Sequence, residues 1–281
     1  KLIWFYNNAV GRPKKKKIIS RIWAFHGVTL ASASLTGLPW VHRGFDLPLP
    51  WMLHTSFPHH YRNARDNEDE EDFATRLATE LEELILGEGP ETIAAFIGEP
   101  VMGAAGVIVP PATYWEKIQE VCRKYDVLII ADEVINGFGR TGQLFGSDTY
   151  GIDPDVMVLS KQMTSSYQPL SAVLISEEIY SIVADYTAKL GTLGHGFTSG
   201  GNPVSTAVAI ENIKIIEERE LVKQVSILSP LLIGGLHRFS DHPLVGQVRG
   251  VGLMAAVELI ANKKTREAFN PVGSAGNYLC Q

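Results

Sequence analysis

Short apolar segments alternate with amphipathic segments along most of the chain. Five segments have the length and composition of strands and are bounded by turn residues, at residues 17–23, 93–97, 127–131, 156–159 and 172–175. Amphipathic segments predict helices at residues 2–10, from the acidic run 66–72 to about residue 86, and at 112–125, 177–190, 202–218 and 221–239. The alternation predicts an α/β fold with a central, mainly parallel sheet flanked by helices.

Two regions depart from this alternation. Residues 29–60 are rich in Ser, Thr, Gly and Pro without periodicity, which predicts a long and functional loop. From residue 241 the chain becomes Gly-rich, with short apolar runs at residues 245–260. We therefore predict a large domain over residues 1–240 and the beginning of a small C-terminal α+β domain over residues 241–281.

Composition and charge narrow the classes of function. The 281 residues are 45% hydrophobic and 20% charged, as in ordinary globular proteins, and the net charge of −6 gives no reason to expect nucleic acid as a partner. No apolar run approaches the roughly 18 residues that span a bilayer. Cys122 and Cys280 lie far apart without metal-type spacing, so no metal site is expected and the cytoplasm is the simplest location.

Two charged residues follow neighbouring apolar runs. Asp132 comes directly after residues 127–131, and Lys161 follows residues 156–159. Because parallel strands place their carboxyl ends at one edge of a sheet, these positions are typical of an α/β active site. Asp132 could instead cap a helix or form an ion pair, and Lys161 could be an ordinary surface lysine. Pyridoxal phosphate requires two groups from its protein: a lysine that binds the aldehyde, and a carboxylate that faces the ring nitrogen. We therefore interpret Lys161 and Asp132 as the pair that binds this cofactor.

A glycine-rich segment between these two residues matches a different motif. Residues 137–142 read GFGRTG and fit the G-x-G-x-x-G pattern of dinucleotide-binding loops. That pattern requires a helix immediately afterwards, whereas Gly146, Gly151 and Pro154 interrupt the following residues. A second, weaker match at residues 250–255 leads into a strand-like run. The sequence therefore does not favour a nicotinamide or flavin site.

Three ordered segments carry a resemblance to a known family. They read IADEVINGFGRTG (residues 130–142), GIDPDVMVLSKQMTSSYQPLSAVLIS (151–176) and HGFTSGGNPVSTAVA (195–209). They resemble the class III, fold-type I pyridoxal-phosphate aminotransferases, especially the ω-amino acid or amine:pyruvate group. The resemblance implies transfer of an amino group from an amine or ω-amino acid to a keto acid such as pyruvate. An aminomutase or decarboxylase with the same cofactor, or a catalytically inert truncated fragment, remains open.

The resemblance also implies roles for individual residues. Lys161 would form the Schiff base with pyridoxal phosphate, and Asp132 would partner the pyridine nitrogen. Val134 would pack on one face of the ring. Phe25 would stack on the other face, at a position where the family usually has a tyrosine, so the hydroxyl of that tyrosine is missing here.

Further residues are implied less directly. Thr198 would contact the cofactor phosphate of a neighbouring subunit, which implies a homodimer with a shared active site, and such dimers could pair into tetramers. Glu99 would lie close to the cofactor, although capping or ion pairing fits it equally well. His26 would belong to the cofactor-binding residues, and we expect it to make structural hydrogen bonds there and not to act as an acid–base catalyst. The phosphate-binding turn of the family would precede Lys1 and its substrate-binding arginine would follow Gln281, so we expect this chain to be a fragment.

Overall fold

A computed structural model describes residues 1–280 and contains a six-stranded central sheet. The strand order is β2-β1-β3-β4-β5-β6, and every neighbouring pair is parallel except β5 and β6. The strands are β1 (Lys17–Arg21), β2 (Met52–Thr55), β3 (Ile93–Gly98), β4 (Leu128–Asp132), β5 (Val156–Leu159) and β6 (Ala172–Ile175). A separate antiparallel hairpin is formed by β7 (Val245–Val251) and β8 (Met254–Leu259). The predicted mainly parallel sheet is therefore confirmed.

Helices pack on both faces of the sheet. The helices of the chain, whether or not they contact the sheet, are α1 (Leu2–Ala9), α2 (Leu30–Leu35), α3 (Pro39–His42), α4 (His60–Asn63), α5 (Glu70–Glu88), α6 (Tyr114–Lys124), α7 (Gly146–Tyr150), α8 (Glu177–Leu190), α9 (Pro203–Glu218), α10 (Leu221–His237) and α11 (Ser274–Leu279). Within residues 1–280, no helix combines the length and the apolar character that crossing a membrane requires.

Burial on both faces explains why the central strands are continuously apolar. All six residues of β3 are buried, as expected for a parallel strand with helices on each side. On one face α5 and α6 cover the sheet with side chains such as Phe73 and Trp115, and on the other α1 and α8 contribute Ile3 and Ile179. This two-sided core holds the carboxyl ends of the strands in fixed positions.

The acidic run does start a helix, although later than its first carboxylate. The carboxylate of Asp69 accepts a hydrogen bond from the backbone N–H of Asp72 at 2.8 Å, so Asp69 is the N-cap and the helix begins at Glu70. Asp66 precedes the cap and lies outside the helix. The cap satisfies a backbone donor that has no partner within the helix, which explains where the boundary falls.

The prediction of a long loop over residues 29–60 was wrong in part. This segment contains the short helices α2 and α3 and the edge strand β2, which pairs in parallel with β1 from Ile18 opposite Met52 to Arg21 opposite Thr55. A strand of four residues with mixed polarity gives little periodic signal, and its pairing with β1 is what stabilises it.

Polar contacts attach the β7-β8 hairpin to the main sheet region. Glu258 lies 3.3 Å from Nε2 of His59 and forms ion pairs with Arg62 and Arg249. Burial alone would raise the pKa of Glu258, but the hydrogen bonds from His59 and Arg62 and the charge of Arg249 lower it to about 2. Nη2 of Arg249 also donates to the carbonyl of Gly106 at 2.7 Å. The division into two domains at residue 240 stays a prediction, and Gln281 lies outside the described residues.

Candidate active site

Asp132 and Lys161 both lie at the carboxyl edge of the sheet. Asp132 is the last residue of β4, and β5 runs beside it with Val158 opposite Asp132. The backbone N–H of Glu133 donates to the carbonyl of Val158 at 3.0 Å, which extends the pairing past the end of β4. Lys161 follows β5 after one intervening residue. The acid and the lysine thus leave adjacent parallel strands in the same direction, as in other α/β active sites.

The carboxylate of Asp132 is buried and held by two donors. Oδ1 accepts from the backbone N–H of Val134 at 3.1 Å, and Oδ2 lies 2.7 Å from Nδ1 of His26. The other ring nitrogen of His26 lies 3.0 Å from the hydroxyl of Ser20, and the histidine side chain is only 1% exposed. These contacts orient the carboxylate and leave each oxygen able to accept a further hydrogen bond. The place of His26 among the cofactor-binding residues stays a prediction.

Lys161 combines an exposed side chain with an unusual backbone. It begins a short 3₁₀ helix (Lys161–Thr164) with φ of +43°, in the left-handed region that non-glycine residues rarely occupy. Within residues 1–280 its ammonium group makes no hydrogen bond and no ion pair. Such backbone strain persists only where the surroundings determine the conformation, and it is concentrated at functional sites. The amine is therefore available to a ligand.

Gln162 connects the lysine turn to the segment after β4. With its amide oriented to suit its neighbours, the nitrogen donates to the carbonyl of Val134 at 3.2 Å, and the oxygen accepts from Nε of Arg140 at 2.9 Å. Val134 is also the residue whose N–H binds Asp132. One chain of contacts thus joins the turn that carries the lysine to the residues that hold the acid.

Glu99 supports the segment that carries Phe25. Its carboxylate is 2% exposed and accepts from the backbone N–H groups of Phe25 at 3.2 Å and Gly103 at 2.9 Å. The guanidinium of Arg21 donates to the Glu99 carbonyl at 2.6 Å. Burial raises the pKa of Glu99. These contacts join two irregular segments of the chain, and proximity of Glu99 to a cofactor stays a prediction.

Glu133, the residue after Asp132, anchors the start of α7. Its carboxylate accepts from the N–H of Gly146 at 3.0 Å, and from the N–H and hydroxyl of Ser147 at 2.6 and 2.7 Å. In the glycine-rich loop, Gly139 and Gly142 have φ of +97° and +94° and lie against α10. The helix that follows is α7, which has five residues and starts only after the loop has ended. Among residues 1–280 no cluster of His, Cys, Asp and Glu could hold a metal ion.

Thr198 lies on a segment of the chain that carries neither Asp132 nor Lys161. It is exposed in the irregular segment between α8 and α9, and in the part of the chain described its hydroxyl makes no hydrogen bond to either of these residues. Sequence reasoning missed Gln162, which belongs to the lysine turn and whose amide contacts Val134 and Arg140. It also missed Asn212, whose amide contacts that turn. Adjacency to Lys161 could have indicated Gln162. Asn212 sits in a helical segment and gives no local signal.

The chemistry of these side chains fits pyridoxal phosphate. A buried carboxylate with spare acceptor capacity suits the protonated ring nitrogen, and an unpaired lysine amine suits the aldehyde. Phe25 and Val134, both half-buried, occupy the segments after β1 and β4 from which they could contact a planar ring. The residues present therefore match the cofactor that the sequence implied.

The sequence is similar to those of known aminotransferases. Residues 1–279 match the family model described as Aminotransferase class-III. The chain is 56% identical over 278 residues to gamma aminobutyrate transaminase 1, mitochondrial, of Solanum lycopersicum, covering 99% of this chain and 54% of that protein. It is 51% identical to vanillin aminotransferase of Capsicum frutescens, covering 99% and 61%.

The fold is also similar to that of a solved transaminase structure. The omega transaminase from Pseudomonas jessenii in complex with PMP superposes with a TM-score of 0.98 at 62% identity, covering 99% of this chain and 61% of that one. The chain spans about half the length of the tomato relative, 54% of it.

Proposed function

The chain belongs to the class-III aminotransferase family, and on this premise we propose that it serves a pyridoxal-phosphate-dependent transamination. The amino group would move from an amine or ω-amino acid to a keto acid such as pyruvate. The observation that carries the proposal is the placement of Asp132 and Lys161 at the ends of adjacent parallel strands, with the acid buried and the amine unpaired.

The side chains divide the work between holding the cofactor and moving protons. Pyridoxal phosphate, when bound, supplies an electron-withdrawing ring that stabilises a carbanion at the substrate carbon. Asp132, fixed by Val134 and His26, would keep a proton on the ring nitrogen. Nζ of Lys161 would bind the cofactor and, once displaced by the incoming amine, would accept the proton that the substrate carbon releases. Phe25 and Val134 would limit the tilt of the ring and exclude water.

Further proposals concern residues outside this cluster. Thr198 would bind the phosphate of a cofactor held by a second copy of the chain, and its exposure leaves it accessible to such a copy. The active form would then be a homodimer with a shared site. We retain residues 1–240 as the large domain and residues 241–281 as the start of the small one. Two free cysteines suit a reducing compartment such as the cytoplasm.

A spectroscopic titration tests the proposed reaction. Pyridoxal phosphate added to the chain should produce the visible absorption band of lysine-bound cofactor, and an amine should then convert it to pyridoxamine phosphate. Addition of pyruvate should regenerate the band and yield alanine in equal amount. Lys161→Ala, which removes an exposed side chain without hydrogen bonds, should keep its fold and give no band.

The products distinguish the alternatives. A rearranged amine or carbon dioxide in place of alanine would indicate an aminomutase or a decarboxylase. No band with a folded wild-type chain would contradict the proposal for this chain and favour an inert fragment.

A further inference from the structure

The turn that carries Lys161 is strained over much of its length. Lys161, Ser165 and Ser166 have φ of +43°, +48° and +61°, although none is a glycine. Its backbone hydrogen bonds include a 3.1 Å bond from the Ser165 N–H to the Gln162 carbonyl and a 3.2 Å bond from the Ser166 N–H to the Lys161 carbonyl. The N–H groups of Met163 and Tyr167 also donate, each at 3.0 Å, to the carbonyls of Ser160 and Thr164. A four-residue 3₁₀ helix has weak hydrogen-bond geometry of its own, so contacts from outside must hold this conformation.

Asn212 of α9 supplies such contacts. Its side-chain Nδ2 donates to the carbonyl of Gln162 at 2.7 Å and to the carbonyl of Met163 at 3.3 Å. Its Oδ1 accepts from the hydroxyl of Ser165 at 2.7 Å. Every side-chain hydrogen bond of this half-buried asparagine therefore goes to the lysine turn and none to its own helix.

These contacts cover the turn from the residue after Lys161 to the first residue after the 3₁₀ helix. The amide serves as a donor to two carbonyls and as an acceptor from one hydroxyl, so one planar group fixes three points of the turn. Because Lys161 precedes this fixed segment directly, the same contacts restrict the backbone directions open to it. A flexible turn would let the amine sample directions away from Asp132, and ordering it on binding would weaken capture of the cofactor.

We propose that Asn212 is a positioning residue for Lys161, an inference that rests on the proposed function of the lysine. Asn212 holds the strained turn in place before the cofactor arrives. Asn212 would act through the turn, without a contact between its own side chain and the cofactor or substrate.

Asn202 provides a matched control on the same helix. It is the N-cap of α9, where its Oδ1 accepts from the N–H groups of Val204 at 3.0 Å and Ser205 at 3.2 Å. Asn202→Ala therefore weakens α9 without removing a contact to the lysine turn. Asn212→Asp is a second useful variant, because it keeps the shape and the acceptor for Ser165 but loses the donor.

Hydrogen exchange without cofactor measures the restraint directly. We expect the amides of Ser165 and Ser166 to exchange about tenfold faster in Asn212→Ala and in Asn212→Asp, the effect of roughly one net hydrogen bond. Asn202→Ala should leave these amides unchanged and accelerate those of Val204 and Ser205. Circular dichroism establishes that each variant is folded.

Capture of pyridoxal phosphate then measures the consequence for Lys161. The dissociation constant should rise about tenfold in Asn212→Ala and stay within about twofold of wild type in Asn202→Ala. Unchanged exchange at Ser165 and Ser166, or faster exchange with unchanged capture, would overturn the inference. Equal weakening of capture by the two Ala variants would show that Asn212 acts only through the stability of α9 and would also overturn it.

The same experiment separates this inference from the proposed function. If the wild-type chain failed to capture pyridoxal phosphate, the function of Lys161 would be refuted, and the positioning role with it. The exchange data would still decide whether Asn212 holds the turn.

Discussion

Removing the carboxylate of Glu133 should strongly destabilise the protein. Its side chain is buried and accepts three hydrogen bonds from Gly146 and Ser147. In Glu133→Ala the Ser147 hydroxyl can rotate to another acceptor, but two buried N–H groups lose theirs. A buried donor without a partner costs about 1–3 kcal/mol, so we expect the free energy of unfolding to fall by about 4 kcal/mol.

Urea denaturation followed by tryptophan fluorescence measures this loss. Asp148→Ala is the control, because the exposed Asp148 carboxylate accepts a single bond, from the Phe145 N–H at 3.0 Å, at the start of the same helix. We expect that variant to lose about 1 kcal/mol. A loss below about 1 kcal/mol in Glu133→Ala would refute the reasoning, since the two N–H groups would then have found other partners.

The pH dependence of the Glu133→Gln variant provides a further check. Burial raises the pKa of Glu133 above its ordinary value of 4.5, so ionisation is harder in the folded chain than in the unfolded chain. Its stabilising contribution is fully present below pH 4.5 and declines as the pH rises through the folded-state pKa. Glutamine does not titrate. The stability advantage of wild type over Glu133→Gln should therefore shrink from pH 4.5 toward neutrality, and a growing advantage would contradict the assignment.

Three further predictions address other parts of the chain. The pKa of Glu258 is lowered from 4.5 to about 2, so the stability that this carboxylate gives the fold is present above pH 4.5 and is lost as the pH falls toward 2. When the free energy of unfolding is measured along an acid titration, wild type should lose about 2 kcal/mol, and Glu258→Gln should not show this loss. Gly252→Ala should lower the free energy of unfolding by about 2 kcal/mol or more, because Gly252 has a φ of +58° and a Cβ there would lie 2.2 Å from the Arg140 carbonyl oxygen. The control is Gly151→Ala, where φ is +60° but no atom lies within 4 Å of the added Cβ, and we expect it to lose about 1 kcal/mol. Equal losses in the two variants would refute the steric clash at Gly252. Asp132→Asn should weaken capture of pyridoxal phosphate about tenfold in absorbance titrations, because a neutral amide holds a ring proton less well; undiminished affinity would contradict its role.

The strands around the site could be predicted from sequence because their burial leaves a direct signal. The segments at residues 156–159 and 172–175 match β5 and β6 in full, and Asp132 and Lys161 could be placed at strand ends from the apolar runs alone. The glycine loop could also be separated from a dinucleotide site, because the required helix was missing from the sequence. Such features depend on residues close together in the chain.

Features that depend on distant residues could not be predicted. Asn212 contacts the carbonyl of Gln162 although the two residues are 50 positions apart in the sequence. An isolated asparagine in a helical segment gives no indication of which residues it faces. The Glu258 network likewise joins residues far apart in sequence. Edge strand β2 depends on pairing with β1 more than on its own periodicity. The contacts of Glu133 depend on the donors of α7, which the sequence does not place.

Covalent trapping of pyridoxal phosphate tests the central claim most directly. The chain is incubated with the cofactor, reduced with borohydride so that any lysine–cofactor bond becomes permanent, digested and examined by mass spectrometry. We predict one pyridoxyl group per chain, located on Lys161, and none in Lys161→Ala. A label confined to other lysines, or equal labelling of the Lys161→Ala variant, would contradict the assignment of Lys161 as the residue that binds the cofactor.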